Sequence, residues 1–111
     1  MKFNTSEVYN AAVFAFKGKL MGGPEAQEFH DKLDEFLKAG KKNIVVDLGD
    51  VKFVNSSGLG NIVRGFSTVK DAGGQMKLAG ATEKIDGLLS ITKLNSVFEQ
   101  YRTVEEAAKS F

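Results

Sequence analysis

The sequence contains no cysteine and no tryptophan, and only one histidine and one proline. Without cysteine there is no disulfide framework, thiolate zinc site, iron–sulfur cluster or cysteine nucleophile. A single histidine rules out a multi-histidine metal site and makes any catalytic triad depend on His30. No charge of one sign dominates: 15 basic against 14 acidic residues leave a formal charge of +1. Binding to a phosphate backbone draws on a basic excess, so nucleic acid is not an expected partner. No apolar run approaches the roughly 18–20 residues that span a bilayer, so membrane insertion is not expected. The start, Met1 to Glu7, lacks the apolar stretch of a secretion signal, which makes the cytoplasm the default compartment. No acid/base or nucleophile pair can be assembled from these residues, so neither an enzyme nor a metal or cofactor site is expected.

What is present is globular in balance. The chain has 111 residues, 42% apolar and 26% charged, which fits one domain over 1–111 with a core of its own. Lys2 to Val8 reads as a strand closed by a turn at Tyr9-Asn10-Ala11. Ala12 to Leu20 is a stronger strand, with Ala12, Phe14, Phe16, Gly18 and Leu20 on one face and Val13, Ala15 and Lys17 on the other. Together they predict a hairpin. Pro24 suits the first position of a helix, with Glu25 and Glu28 near its positive end. Ala26, Phe29, Leu33, Phe36 and Leu37 follow helical spacing, with His30 on the flank of that stripe. Gly40 ends this helix, beside the solvated Lys38, Lys41 and Lys42.

Ile44 to Leu48 is a β-branched run, read as a strand buried on both faces. Gly49 to Asn55 reads as a connection whose Val51, Phe53 and Val54 turn inward. A second helix begins near Ser56 or Ser57, with Leu59, Ile62, Val63, Phe66 and Val69 inside, and stops at Gly73-Gly74. Gln75 to Ala79 is a short strand. Thr82 caps a third helix with Ile85, Leu88 and Leu89 toward the core. Val97 to Tyr101 is the last strand. Thr103-Val104-Glu105-Glu106 opens a final helix through a capping box. The order β-β-α-β-α-β-α-β-α predicts an α/β fold: a mixed sheet of four to five strands, edged by the N-terminal β-hairpin, with four helices packed against it.

Right-handed crossovers bring the loops leaving parallel strands to one edge of the sheet, where sites in such folds gather. Three loops qualify: Met21-Gly22-Gly23, Phe53 to Gly58, and Gly80-Ala81-Thr82. Each feeds a helix N-terminus, which favours an anion. In the second loop, Ser56 or Ser57 can serve simply as a helix cap. Either hydroxyl is also a phosphorylation target, because a phosphoserine there would add roughly −1.5 to −2 charges to a neutral patch.

Asn55-Ser56-Ser57-Gly58-Leu59-Gly60 after Ile44-Val45-Val46-Asp47-Leu48 resembles the signature of the STAS domain family, which includes bacterial anti-sigma factor antagonists. Gly18-Lys19-Leu20, Ala72-Gly73-Gly74 and Ile91-Thr92-Lys93-Leu94 extend the resemblance over nearly the whole chain. It implies Ser56 as the phosphoacceptor, with Ser57 the second candidate and cap. It implies partner contacts at Met21, Gly22, Gly23, Asn55, Ser57, Gly58, Leu59 and Gly60. The implied partners are an anti-sigma factor of the serine-kinase type, which the unmodified domain binds to free a sigma factor, and a phosphatase. The chain is expected to be a monomer or weak dimer. Two positions depart from the family pattern: Asn55 stands where an aspartate is usual, and Met21 where an acidic residue is usual. These departures favour an alternative, a constitutive STAS scaffold without a phosphorylation cycle. A binder of small anions or nucleotides, using the three helix N-termini, is a further alternative.

Overall fold

The computed structural model describes all residues from Met1 to Phe111. Five strands form one sheet in simple chain order. Strand β1 (Lys2–Val8) runs antiparallel to β2 (Ala11–Leu20). The neighbours β3 (Asn43–Val54), β4 (Gln75–Ala79) and β5 (Gln100–Tyr101) continue in parallel. Helices α1 (Ala26–Lys38), α2 (Ser56–Asp71) and α3 (Glu83–Ile91) are the crossovers, and α4 (Val104–Lys109) closes the chain.

The alternation in β2 sorts its side chains as period-2 geometry demands. Ala12, Phe14, Phe16 and Leu20 enter the main core with Phe29 and Leu33 of α1, Ile62 and Val69 of α2, and Ile85 and Leu89 of α3. Ala11 and Val13 face the other way, with Val45 and Ala79, under Ala107 and Ala108 of α4. Three helices therefore cover one face of the sheet and the short α4 covers the other. Phe29 anchors the main core, its ring 5.3 Å from Phe14 and 5.2 Å from Phe16 in edge-on geometry, the arrangement aromatic quadrupoles favour.

Five local readings are corrected. Residues Gly49 to Val54 are not a connection. They continue β3, pairing Val51 with Gly18 and Val54 with Leu20. Gly49 and Asp50 resemble turn residues, but two register shifts in the ladder, with Gly18 at φ +69°, let the strand bend and keep pairing. Val51 is buried as expected, whereas Phe53 is 43% exposed. Pro24 lies in the turn before α1, whose first residue is Ala26. The span expected as the strand Val97–Tyr101 pairs only at Gln100 and Tyr101, after a 3-10 turn at Leu94–Ser96. His30 is not a flank residue; it is 5% exposed.

Candidate functional site

The loops after β2 and β3 meet at the C-terminal edge of the sheet. The loop after β2 turns through Gly22 (φ +77°) and Gly23 (φ +82°), two consecutive left-handed positions that a side chain would strain. A side-chain carbon on Gly22 would lie 3.0 Å from Ser57 Cβ and 3.1 Å from Asn61 Nδ2, so the two loops are in contact. Asn55 N–H donates to Leu20 O at 3.1 Å, tying the end of β2 to the start of α2. Gly58 makes the tightest approach. A Cβ there would fall 1.8 Å from Leu20 O, inside any permitted contact.

The cap of α2 is neither serine. Asn55 takes that position with extended backbone angles, and its Oδ1 accepts from Gly58 N–H at 2.8 Å. Ser56 and Ser57 are thereby the first two helical residues, both exposed. Their N–H groups belong to the first turn and have no intrahelical acceptor. No acidic residue lies in that turn. Asparagine caps a helix about as well as aspartate, so Asn55 does the structural work of an acid at this position without its charge. Asn55→Ala is expected to cost about 1 kcal/mol of stability and Asn55→Asp almost nothing, read from urea unfolding midpoints.

Asn61 is a residue that sequence reasoning passed over. Its Nδ2 donates to Ser57 O at 2.9 Å, and its Oδ1 lies 2.8 Å from His30 Nε2. Because an amide oxygen only accepts, the imidazole must donate from Nε2. A buried side chain of α1 thus braces the first turn of α2 through one amide. An asparagine four residues past Ser57 was the local signal, but only the α1–α2 packing, where Phe29 lies against Gly65, brings His30 to it.

Around this edge, Met21 is 45% exposed, Gly23 and Gly60 stand in open space, and Leu59 is half-buried against the core. The third loop is not brought to the serines. Gly80 packs on Asp47 and Gly49, and Thr82 caps α3 by accepting from Ile85 N–H at 3.4 Å. Beside Met21 and Gly22 opens a cleft of about 500 Å³ lined by Lys2, Lys17 and Lys19. Lys2 and Lys17 are direct cross-strand partners, a like-charge pairing that costs stability. Glu25 at the same cleft is held below the usual carboxylate range by its hydrogen bond from the chain's N-terminal ammonium and by that group's charge.

Four similarities to known proteins bear on this arrangement. The family model described as STAS domain matches residues 2–107. A Thermotoga neapolitana protein described as an anti-sigma factor antagonist homologue is 38% identical over 74 residues. That stretch is 67% of this chain and 66% of the relative, so the match spans just under two thirds of the relative's length. The crystal structure of a Thermotoga maritima protein described as an anti-sigma factor antagonist superposes with a TM-score of 0.85 at 29% identity, covering 97% of this chain and 92% of the other. The phosphorylated form of the Bacillus cell-fate determinant SpoIIAA shares the fold, with a TM-score of 0.76 at 17% identity over 98% of each chain.

Proposed function

This chain belongs to the STAS domain family, and we propose that it acts as an anti-sigma factor antagonist, a non-enzymatic binding module switched by phosphate on Ser56. The observation that carries the reading is the cap. Asn55 satisfies Gly58 N–H and leaves the Ser56 hydroxyl exposed at the first position of α2. A phosphate there would gain the unpartnered first-turn amides and the positive end of the helix dipole. It would meet no carboxylate within that turn. Roughly −1.5 to −2 charges would then stand on the surface formed by Met21, Gly22 and the start of α2. The partner is an anti-sigma factor kinase in the cytoplasm, which binds this surface unmodified and is repelled once the phosphate is in place. A phosphatase resets the switch.

Gly60 supports a partner at this face. It sits inside α2 with nothing near its missing side chain, although a helical glycine costs about 1 kcal/mol relative to alanine. Gly60→Ala is expected to raise the unfolding midpoint of the free chain and weaken capture of the kinase, measured by thermal unfolding and titration calorimetry.

A second reading, a constitutive scaffold, draws on the same Asn55 and on Met21, which leave the edge without the family's carboxylates. Capture of the anti-sigma factor from cells, with and without phosphatase treatment, separates the two. The switch requires that phosphatase treatment increase capture; equal capture supports the scaffold.

A further inference from the structure

The cleft beside Met21 and Gly22 carries charge that nothing in the chain balances. Lys2, Lys17 and Lys19 line it and are exposed, and none of them forms an ion pair. Glu25 is the only acidic residue on its wall, and the N-terminal ammonium already holds it at 2.7 Å. Asp50 is the register partner of Lys17 on β3, yet the two make no ion pair. The fold leaves this stretch bare. Helix α4, six residues long, covers β2 at Ala11 and Val13 through Ala107 and Ala108, and the strand runs on past it to Lys17 and Lys19. Lys2 and Lys17 oppose each other across the β1–β2 ladder, where an opposite pair would stabilise the hairpin and a like pair does the reverse. No internal contact accounts for the three lysines.

We propose that this cleft receives an acidic segment of the anti-sigma factor, and that Lys2, Lys17 and Lys19 set the charge sign of the partner this chain accepts. Resting on the antagonist reading above, the proposal adds to it the chemistry of the opposing surface. The cleft is continuous with the switch. Gly22 forms part of its wall, and a side-chain carbon there would lie 3.0 Å from Ser57 Cβ. A partner seated on the start of α2 therefore reaches the lysines across one unbroken surface. Met21 occupies the position where the family usually has an acid, so the end of β2 presents ammonium groups and an apolar side chain to the partner. Carboxylates on the partner are drawn to such a cleft, which speeds encounter and excludes partners of the wrong sign. Phosphate on Ser56 then acts twice. Its roughly −1.5 to −2 charges oppose the acidic segment and offset half or more of the three positive charges.

Titration calorimetry of the unmodified chain with its cognate anti-sigma factor, at about 50 mM and about 500 mM salt, tests this. Lys17→Glu and Lys19→Glu are each expected to weaken binding about five- to tenfold at the lower salt. The loss shrinks to about twofold or less at the higher salt, where the screening length falls to ~4 Å. Lys2→Glu separates a binding role from a structural one. It turns the like pair with Lys17 into an opposite pair, so the unfolding midpoint rises while the affinity falls. Lys70→Glu makes the same charge change at the far, exposed end of α2, and its affinity stays within about twofold of the unaltered chain. Suppose the unaltered chain binds and is phosphorylated on Ser56, but binding is indifferent to the three cleft variants or strengthened by them. That result overturns this proposal alone. A loss in Lys70→Glu equal to that of the cleft variants assigns the effect to net charge and overturns it too. A chain that the anti-sigma factor neither binds nor phosphorylates overturns the antagonist reading, and the proposal falls with it.

Discussion

Gly58→Ala is expected to lower the thermal unfolding midpoint by about 8–16 °C. The added Cβ would lie 1.8 Å from Leu20 O and 2.3 Å from Leu20 C. Both atoms are backbone, and the carbonyl already accepts from Asn55 N–H. Neither can rotate away, so the start of α2 must lift off β2. Overpacking of this kind costs about 3 kcal/mol at the upper end of its range. Alanine returns about 1 kcal/mol in helix propensity, leaving a net loss of about 2 kcal/mol, at ~4–8 °C each for a domain of this size. Gly60, two residues on, has open space and serves as the control. A Gly58→Ala midpoint within a degree or two of the unaltered chain would mean that the two backbones do not approach this closely.

The second large effect concerns binding. Ser56→Asp places a permanent charge at the first position of α2, and the affinity for the anti-sigma kinase is expected to fall about 100-fold, equivalent to roughly 2.8 kcal/mol. Like charge or an unpaired carboxylate buried at an interface costs this much. The phosphorylated chain is expected to bind more weakly still, since phosphate carries about twice the charge. Ser56→Ala should bind as the unmodified chain does. The substituted residue is exposed and does not cap the helix, so unfolding midpoints should stay close together and separate a binding defect from a folding one. Equal affinity of the Ser56→Asp and unaltered chains, by titration calorimetry, would contradict a charge-based switch.

Much of the architecture was legible from periodicity and caps. The two-residue alternation of Ala12 to Leu20, the stripe of Phe29 and Leu33, and the caps Thr82 and Thr103 all appear where the pattern placed them. Long-range pairing decided what the pattern misjudged. Gly49 and Asp50 look like a turn, yet Gly49 only marks a register shift and Asp50 pairs again with Lys17 of β2. Val97 and Phe98 are strand-like in composition. Phe98 is instead buried against the ring of Phe66, at 5.0 Å between centroids, and only Gln100 and Tyr101 remain beside β4.

The site was legible as a loop and not as a geometry. Ser56, Ser57 and the glycines of both loops were named from local spacing. The structure joins the loops through Gly22, Ser57 and Leu20, contacts between residues more than thirty positions apart. Local spacing could not assign the cap, because Asn55, Ser56 and Ser57 all belong to the residue types that favour it. Nor could it bury His30, whose partner Asn61 lies on another helix. Asn55 changes meaning accordingly. Read alone it is a lost carboxylate; in place it is the group that frees Ser56 by holding Gly58 N–H.

The most direct measurement is the intact mass of the chain after incubation with ATP and its cognate anti-sigma factor kinase, with the modified residue mapped by peptide fragmentation. The account predicts one phosphate on the unaltered chain and on Ser57→Ala, located on Ser56, and none on Ser56→Ala. An unmodified wild-type chain, or a phosphate that persists in Ser56→Ala, would contradict it.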